Sequence, residues 1–568
     1  MRLAMNGFLR AALMLGLAVV AANGSVQTVR AAPGADLGFL AVAADRGFQG
    51  DEELRDAFDA FAAGRNAELV FATDARTRGM LAAALARLAQ RGARRAVVLP
   101  MFLSANDPAL MLVKEHLANA SLPVSFARTF GESYLAVEAL ADRLRTIRRP
   151  NGARLVVVGY GARDDETRRL LERDWQRLAE QAAAGFGFAR VHALVWYDSR
   201  APEREARRAE IGRALADATQ EPGRTVVVPF HLGWRADGMM SFDAELKPVV
   251  PAGVDLAAPG PGPEAMLATW MAREANYRAD IAPRELGVIL LAHGADYHWN
   301  ETMRQAAQPL EARYLVEYVF SMADQPLIER AVRRLERRGA RAVVIVRVFG
   351  LASSFKDEVE RMIGADVEAG VPSLPRGDDG HSDGQEHGQG NGHSHGSAPS
   401  SPPARIRSSL PVVTVGGVEA SPLFAAALLD RARALSRDPR TETVILTAHG
   451  AGDDSRNEHW LKILDTLAAH MKAGGAAFRA IRYATWREDW PEKRGPWVAR
   501  VREMVDEATR DGGRAIVIPA RTSGRGPERA FLDGLKFDLG EGFAPHPLFA
   551  QWVEEQIRTG VALLGSRP

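Results

Sequence analysis

Two histidines in this 568-residue chain share one short setting. His293 closes the run LLAH and His449 the run LTAH, and a glycine follows each. An imidazole changes charge near neutral pH, so at the end of a strand it can take up a proton or, when neutral, ligate a divalent metal. The neighbouring glycine gives the backbone room to turn and present the ring. The chain contains no cysteine, which excludes thiolate zinc sites, iron–sulfur clusters, disulfides and cysteine nucleophiles. Any metal is therefore held by imidazole, carboxylate or carbonyl oxygen. Four further histidines, His381, His387, His393 and His395, lie in residues 377–397, a stretch of 21 with no aromatic and no aliphatic side chain larger than alanine. Such a stretch cannot supply a packed core. Its imidazoles and carboxylates suit weak, adaptable binding of divalent metals.

The elements that must position His293 and His449 recur along the chain. LGFLAVAADRG from Leu37, RLVVVGYGARDD from Arg154, LGVILLAHGAD from Leu286 and TVILTAHGAGDD from Thr443 are each a short apolar run ending in a small polar turn, the pattern of a buried parallel strand. The position of the two histidines is Tyr160 in the second copy and Ala44 in the first. A second set follows amphipathic helices: RRAVVLPMFL from Arg94, GRTVVVPFHL from Gly223, ARAVVIVRVF from Ala340 and GRAIVIPART from Gly513. In the third copy the helix is expected from about Pro326 to Arg338, with Leu327, Ala331 and Leu335 on the buried face and Gly339 as its stop. Helical segments from Tyr134, Glu264, Pro422 and Pro547 close the copies.

Strands alternating with helices imply a parallel sheet covered on both faces. The expected fold is α/β, tandem doubly wound parallel-sheet lobes in four repeats and two pairs, lobe one with two and three with four. The lobes are read as 37–150, 151–280, 284–438 and 440–565, with a disordered His-rich insert over 375–405 in the third. In such sheets ligands bind in the crevice beyond the carboxyl ends of the strands.

Lys plus Arg number 72 against 71 Asp plus Glu, a net charge of +1, which gives no reason to expect a nucleic-acid partner. Arg2 and Arg10 bracket a basic start, and the apolar run from Ala11 to Ala22 precedes Asn23, Gly24 and Ser25. Residues 1–32 read as a secretory signal peptide, too short in its apolar part for a bilayer span of about 20 residues. The expected location is periplasmic or extracellular, with no stable membrane span once the leader is removed.

The third copy carries the most specific pattern: ILLAHGAD from Ile289, EYVFSMADQPLIERAVRRL from Glu317, RRGARAVVIV from Arg337 and the closing PLFAAALLDRA from Pro422. Together these resemble the class II tetrapyrrole chelatases, the sirohydrochlorin cobaltochelatases in particular, and the resemblance extends from residue 37 to about 560, strongest in the third and fourth copies. It implies ATP-independent, chelatase-like insertion of Co2+, with Ni2+ or Fe2+ as alternatives, into a tetrapyrrole held between two lobes. The metal is then a substrate, no organic cofactor is needed, and His293 and His449 are the residues that bind the metal or accept pyrrole protons. The chain departs from that family at the second histidine, whose place falls near Pro108, Asp237, Phe355 and Pro527, and at the glutamate after the middle strand, which falls on Met322. Waters and carboxylates such as Asp296 or Asp453 would then complete the metal's coordination. His231, His298 and His459 read as surface or loop residues. Trp486, Trp490 and Trp497, near Tyr483, could stack on a macrocycle, although their i, i+4, i+11 spacing favours packing along a helix. The alternative to catalysis is an exported binding protein that holds metal or tetrapyrrole in the same cleft.

Overall fold

The computed structural model describes residues 36–220, 223–233, 242–258, 262–370 and 405–566. The leader read in residues 1–32 lies outside them, as do His381, His387, His393, His395 and Asp237. Among the described residues no helix is long and apolar enough to cross a membrane.

Four parallel sheets of four strands follow one another. The first holds β1 (Leu37–Ala44), β2 (Ala67–Ala72), β3 (Arg95–Pro100) and β4 (Val124–Phe126) in the order β2-β1-β3-β4. The second repeats that order with β5 (Arg154–Ala162), β6 (Arg190–Tyr197), β7 (Thr225–Pro229) and β8 (Val254–Leu256). The third uses β9 (Leu286–Ala292), β10 (Leu315–Phe320), β11 (Ala342–Val348) and β12 (Val412–Gly416). The fourth uses β13 (Glu442–Ala448), β14 (Ala480–Thr485), β15 (Arg514–Pro519) and β16 (Asp538–Leu539). The α/β architecture expected from the repeats is present. Every residue of β1, β5, β9, β11 and β13 is buried, because helices cover both faces of each sheet and leave no wet side to alternate towards.

Two details correct the sequence reading. Each lobe has a fourth strand, β4, β8, β12 or β16, of two to five residues, too short to stand out as an apolar run. The helix of the third lobe spans Gln325–Arg337 and buries Ile328, Ala331, Val332 and Leu335. Leu327 is 39% exposed; the buried stripe follows the i, i+3, i+4, i+7 rule from Ile328 rather than from its neighbour. Gly339, at φ +89, ends the helix as expected.

The pairing of lobes is built into their cores. One apolar cluster joins β1 and β3 to β5 and β7 through residues such as Ala41, Val97, Val157 and Val227. Another joins β9 and β11 to β13 and β15 through Leu290, Val344, Leu446 and Ile518. Closing helices cross over within each pair. Helix Leu267–Tyr277 of the second lobe packs on helix Gly47–Ala62 of the first, and helix Pro547–Gly565 of the fourth lies on β11 and β12 of the third. The second contact is close, since a Cβ on Gly560 would collide with Val344.

Candidate functional site

β9 and β13 are equivalent central strands, and His293 and His449 follow their carboxyl ends. Both line one cavity of about 700 Å³ between the third and fourth lobes. That volume lies within the roughly 300–1,000 Å³ of small-molecule sites.

The His-Gly pair has the same geometry in both lobes. Gly294 and Gly450 adopt φ values of +79 and +83, a conformation that glycine reaches without a Cβ penalty. Each thereby turns its carbonyl back onto the preceding ring. His293 Nδ1 lies 2.7 Å from the Gly294 oxygen and His449 Nδ1 lies 2.9 Å from the Gly450 oxygen. A carbonyl only accepts, so in each case Nδ1 carries a hydrogen and donates it, which leaves Nε2 as the reactive nitrogen.

At His449, Nε2 sits 2.8 Å from an Asp489 carboxylate oxygen and 3.6 Å from Oε1 of Glu488. Among the described residues, His449, Glu488 and Asp489 form the one group of three side chains whose ligand atoms all lie within 4.8 Å of one another. Desolvation pulls the His449 pKa down, but the Asp489 hydrogen bond, the Glu488 charge and the Gly450 carbonyl together outweigh it and leave the imidazole above its ordinary value. Asp489 is held below the usual carboxylate range, chiefly by its hydrogen bond to His449 and further by the charges of Arg521 and His293.

The turn carrying the two acids is held rigidly. After β14, Trp486 N and Arg487 N each donate at 2.8 Å to the carbonyls of Ala448 and His449. The Trp486 indole N–H reaches the buried Glu528 carboxylate at 3.2 Å. Arg487, at φ +51, bends the chain, and its guanidinium pairs with Asp454 at 2.7 Å. Glu488 and Asp489 follow directly, beside His449. In the third lobe the corresponding turn after β10 has no such pair next to His293; Asp324 there caps the next helix by accepting from Leu327 N at 3.1 Å.

Several expected residues do other work. Asp296 and Asp453 are helix caps, accepting from Trp299 N at 2.8 Å and Arg456 N at 2.9 Å, so the carboxylates beside the imidazole are Glu488 and Asp489. His298 and His459 are exposed, and His459 lies 3.7 Å from Glu419. His231 is not a surface residue: it is 3% exposed and packs on Tyr160 and Phe242 at ring distances of 5.8 and 4.9 Å. The tryptophans do not share a helix face, because the helix starts only at Pro491. Trp486 is core. Trp490 lines the cavity with its ring edge-on to His449 at 5.7 Å, and Trp299 and Trp460 join it there. Trp460 and Trp490 lie so close to Gly350 and Gly452 that no Cβ would fit. Phe355, where the resemblance places a second histidine, is a cavity wall packed on Phe349 at 4.9 Å. Among the described residues, the imidazoles that line the cavity are those of His293 and His449.

Among the described residues, the equivalent crevice of the first two lobes holds only small cavities, of about 20 and 10 Å³. Arg46, from the turn after β1, projects into it, 5.1 Å from the centre of the Tyr160 ring and 3.6 Å from the Asp107 carboxylate.

Comparison with known proteins finds a family match within the third lobe. Residues 287–378 match the CbiX family profile. The chain is 31% identical over 81 residues to a sirohydrochlorin cobaltochelatase of Sulfolobus acidocaldarius, a match covering 14% of this chain and 66% of that protein. Sirohydrochlorin cobaltochelatases of Saccharolobus islandicus are 31% identical over 84 residues, again 14% of this chain and 66% of theirs. The chain thus spans about two thirds of the length of these relatives. Among solved structures, a multi-domain protein of Deinococcus radiodurans described as similar to chelatases aligns at 19% identity over 50% of this chain and 56% of its own, with a TM-score of 0.30. The third lobe, which supplies His293 to the shared cavity, is a CbiX chelatase-family domain.

Proposed function

We propose that the cleft between the third and fourth lobes binds a tetrapyrrole and exchanges two of its pyrrole protons for a divalent metal, with cobalt the first candidate. The observation that carries this reading is the grouping of His449, Glu488 and Asp489 on one wall of a 700 Å³ cavity that His293 also lines. A macrocycle needs flat apolar walls, and Trp299, Trp460, Trp490 and Phe355 offer them. Its peripheral carboxylates would find Arg456, Lys493 and Arg525 at the cavity surface. The metal is a substrate, delivered to His449 Nε2 and the two acids. His293, on the other lobe, presents its Nε2 as a base for pyrrole protons, since Nδ1 is engaged with Gly294. The leader read in residues 1–32 makes export part of the same proposal.

The test is anaerobic incubation of the purified chain with metal-free sirohydrochlorin and Co2+, followed by absorbance. Acceleration over buffer is expected, with His449→Ala reducing the rate by about a hundredfold or more and His293→Ala by about tenfold or more. Tight binding of the macrocycle without acceleration would instead establish a binding protein. Neither binding nor acceleration would reject the cleft as a tetrapyrrole site.

A further inference from the structure

We propose that Arg521 is a positioning residue that keeps the His449–Glu488–Asp489 group a weak, releasing metal site. The inference rests on the reading of that group as the place where a substrate metal lands. Arg521 follows β15 and lines the same cavity. Its guanidinium is bonded to Oε2 of Glu488, while the other oxygen of that carboxylate faces His449 at 3.6 Å. The side chain is largely enclosed, 19% exposed, and its Nε packs where a Cβ on Gly526 would come within 2.5 Å. It is therefore a fixed charge rather than a swinging surface arginine.

A metal arriving at His449 and the two acids meets that fixed cation only one carboxylate away. It must share Glu488 with the guanidinium and bear the repulsion of a permanent positive charge, because arginine does not lose its proton in proteins. Two acids and an imidazole without this neighbour would hold a divalent ion more firmly. For metal transfer, firm holding is a fault: an ion that stays on the protein does not enter the macrocycle. Arg521 thus sets the balance between capture and release.

The rival account, in which Arg521 merely fixes Glu488 in place, predicts the opposite sign. Without the guanidinium a loosened Glu488 would ligate less well, and metal affinity would fall. The experiment is titration of the full chain with Co2+ alone, in competition with a chromophoric chelator, for wild type, Arg521→Gln, Arg521→Lys and His449→Ala. The His449→Ala protein supplies the baseline for cobalt bound elsewhere, including at the histidines of residues 377–397. Binding lost in that baseline should be about tenfold or more tighter in Arg521→Gln, the direction required by removing a like charge at short range, and within about threefold of wild type in Arg521→Lys, which keeps the charge. Thermal melting identifies any variant that fails to fold, and Arg521→Met, which also removes the charge and carries the same expectation, takes the place of Arg521→Gln if that variant does not fold. Affinity unchanged or weaker in a folded Arg521→Gln, or raised in Arg521→Lys as in Arg521→Gln, overturns the proposal while leaving the metal site intact. Absence of any His449-dependent cobalt binding in both wild type and Arg521→Gln overturns the site itself and the proposal with it.

Discussion

His449 has a separate partner for each ring nitrogen. Nδ1 donates to the Gly450 carbonyl, so Nε2 can bond to the Asp489 carboxylate only while it also carries a hydrogen. Both bonds favour the protonated ring, the direction in which the imidazole pKa is shifted, upward against the desolvation that opposes it. A metal at Nε2 must displace that proton, and the sign follows: cobalt affinity at the cavity should climb with pH, by up to about tenfold per unit, until the raised pKa is passed. Cobalt titrations at a series of pH values should place the break above 6.5 in wild type and lower in Asp489→Asn; a flat profile would remove His449 from the ligand set. The same pair has a stability signature. Because the folded pKa is raised, its contribution is complete below the unfolded imidazole value and is lost as pH rises through the folded one. The two histidines were legible in the sequence because they recur after equivalent strands. Glu488 and Asp489 were not, since their approach to His449 depends on a left-handed Arg487 and two backbone bonds across the end of β13, none of which leaves a periodic trace. Asp296 and Asp453 looked like ligands by proximity in sequence, yet each stands immediately before a helix, which starts at Tyr297 or Asp454, and caps it.

At the scale of elements, the strand-to-helix turn is the functional unit, and its glycine shapes the site. A Cβ on Gly450 would lie 2.9 Å from both Asn457 Oδ1 and Thr485 Cβ and 3.0 Å from Arg487 N, in a backbone conformation that side chains rarely adopt. Gly450→Ala should therefore cost about 1–3 kcal/mol of stability and, by moving the carbonyl that orients His449, lower cobalt affinity about tenfold or more. Gly339→Ala is the matched control. That glycine has φ +89 and no neighbour within 4 Å, so the melting temperature should drop while cobalt affinity stays put; equal loss of affinity in both variants would refute a specific role for the Gly450 carbonyl. The major strands were legible because burial on both faces makes them continuous apolar runs. β16 has two residues and gains its place only by pairing with β15, so no local signal marks it. The helix beside β10 was recognised with Ala331 and Leu335 on its buried face, and only Leu327 was misplaced, because Leu327 and Ile328 are both apolar and only packing chooses Ile328. Trp486 and Trp490 showed a helical spacing across a segment that is a turn, where Trp486 is fixed by Glu528 and Trp490 by Gly452.

Across the whole molecule, the two pairs share a plan and differ in their crevices, one open at His293 and His449 and the other closed by Arg46. Buried ion pairs join the two pairs of lobes alongside apolar contacts such as Val367 in the core of the first pair. Glu138, on the closing helix of the first lobe and 1% exposed, lies 3.2 Å from Arg405 and 3.3 Å from Arg407, which precede β12 in the third lobe. Nearby, Arg273 of the second lobe lies between the rings of Tyr134 and Tyr277 at 4.9 and 5.0 Å and pairs with Glu368, and the Tyr134 hydroxyl donates to the Ile406 carbonyl at 2.7 Å. Breaking a buried pair by deleting one partner costs more than the pair contributes, because the survivor stays buried with its charge less compensated. Here Arg405 keeps Asp366 at 3.2 Å and Arg407 keeps Asp142 at 2.6 Å, which places Glu138→Ala near the lower end of the about 3–5 kcal/mol range. The loss falls on the contact between the pairs rather than on either core, so calorimetry should show the halves melting more independently, with an earlier first transition. Removing the exposed partner of Asp438 by Arg440→Ala should leave the melting profile unchanged. Because His449, Glu488 and Asp489 all belong to the fourth lobe, cobalt affinity in Glu138→Ala, measured below its first transition, should equal that of wild type. A fall in affinity with the fold intact would mean that the closed pair does more than support the open one, and that the junction around Glu138 transmits its state to the cavity.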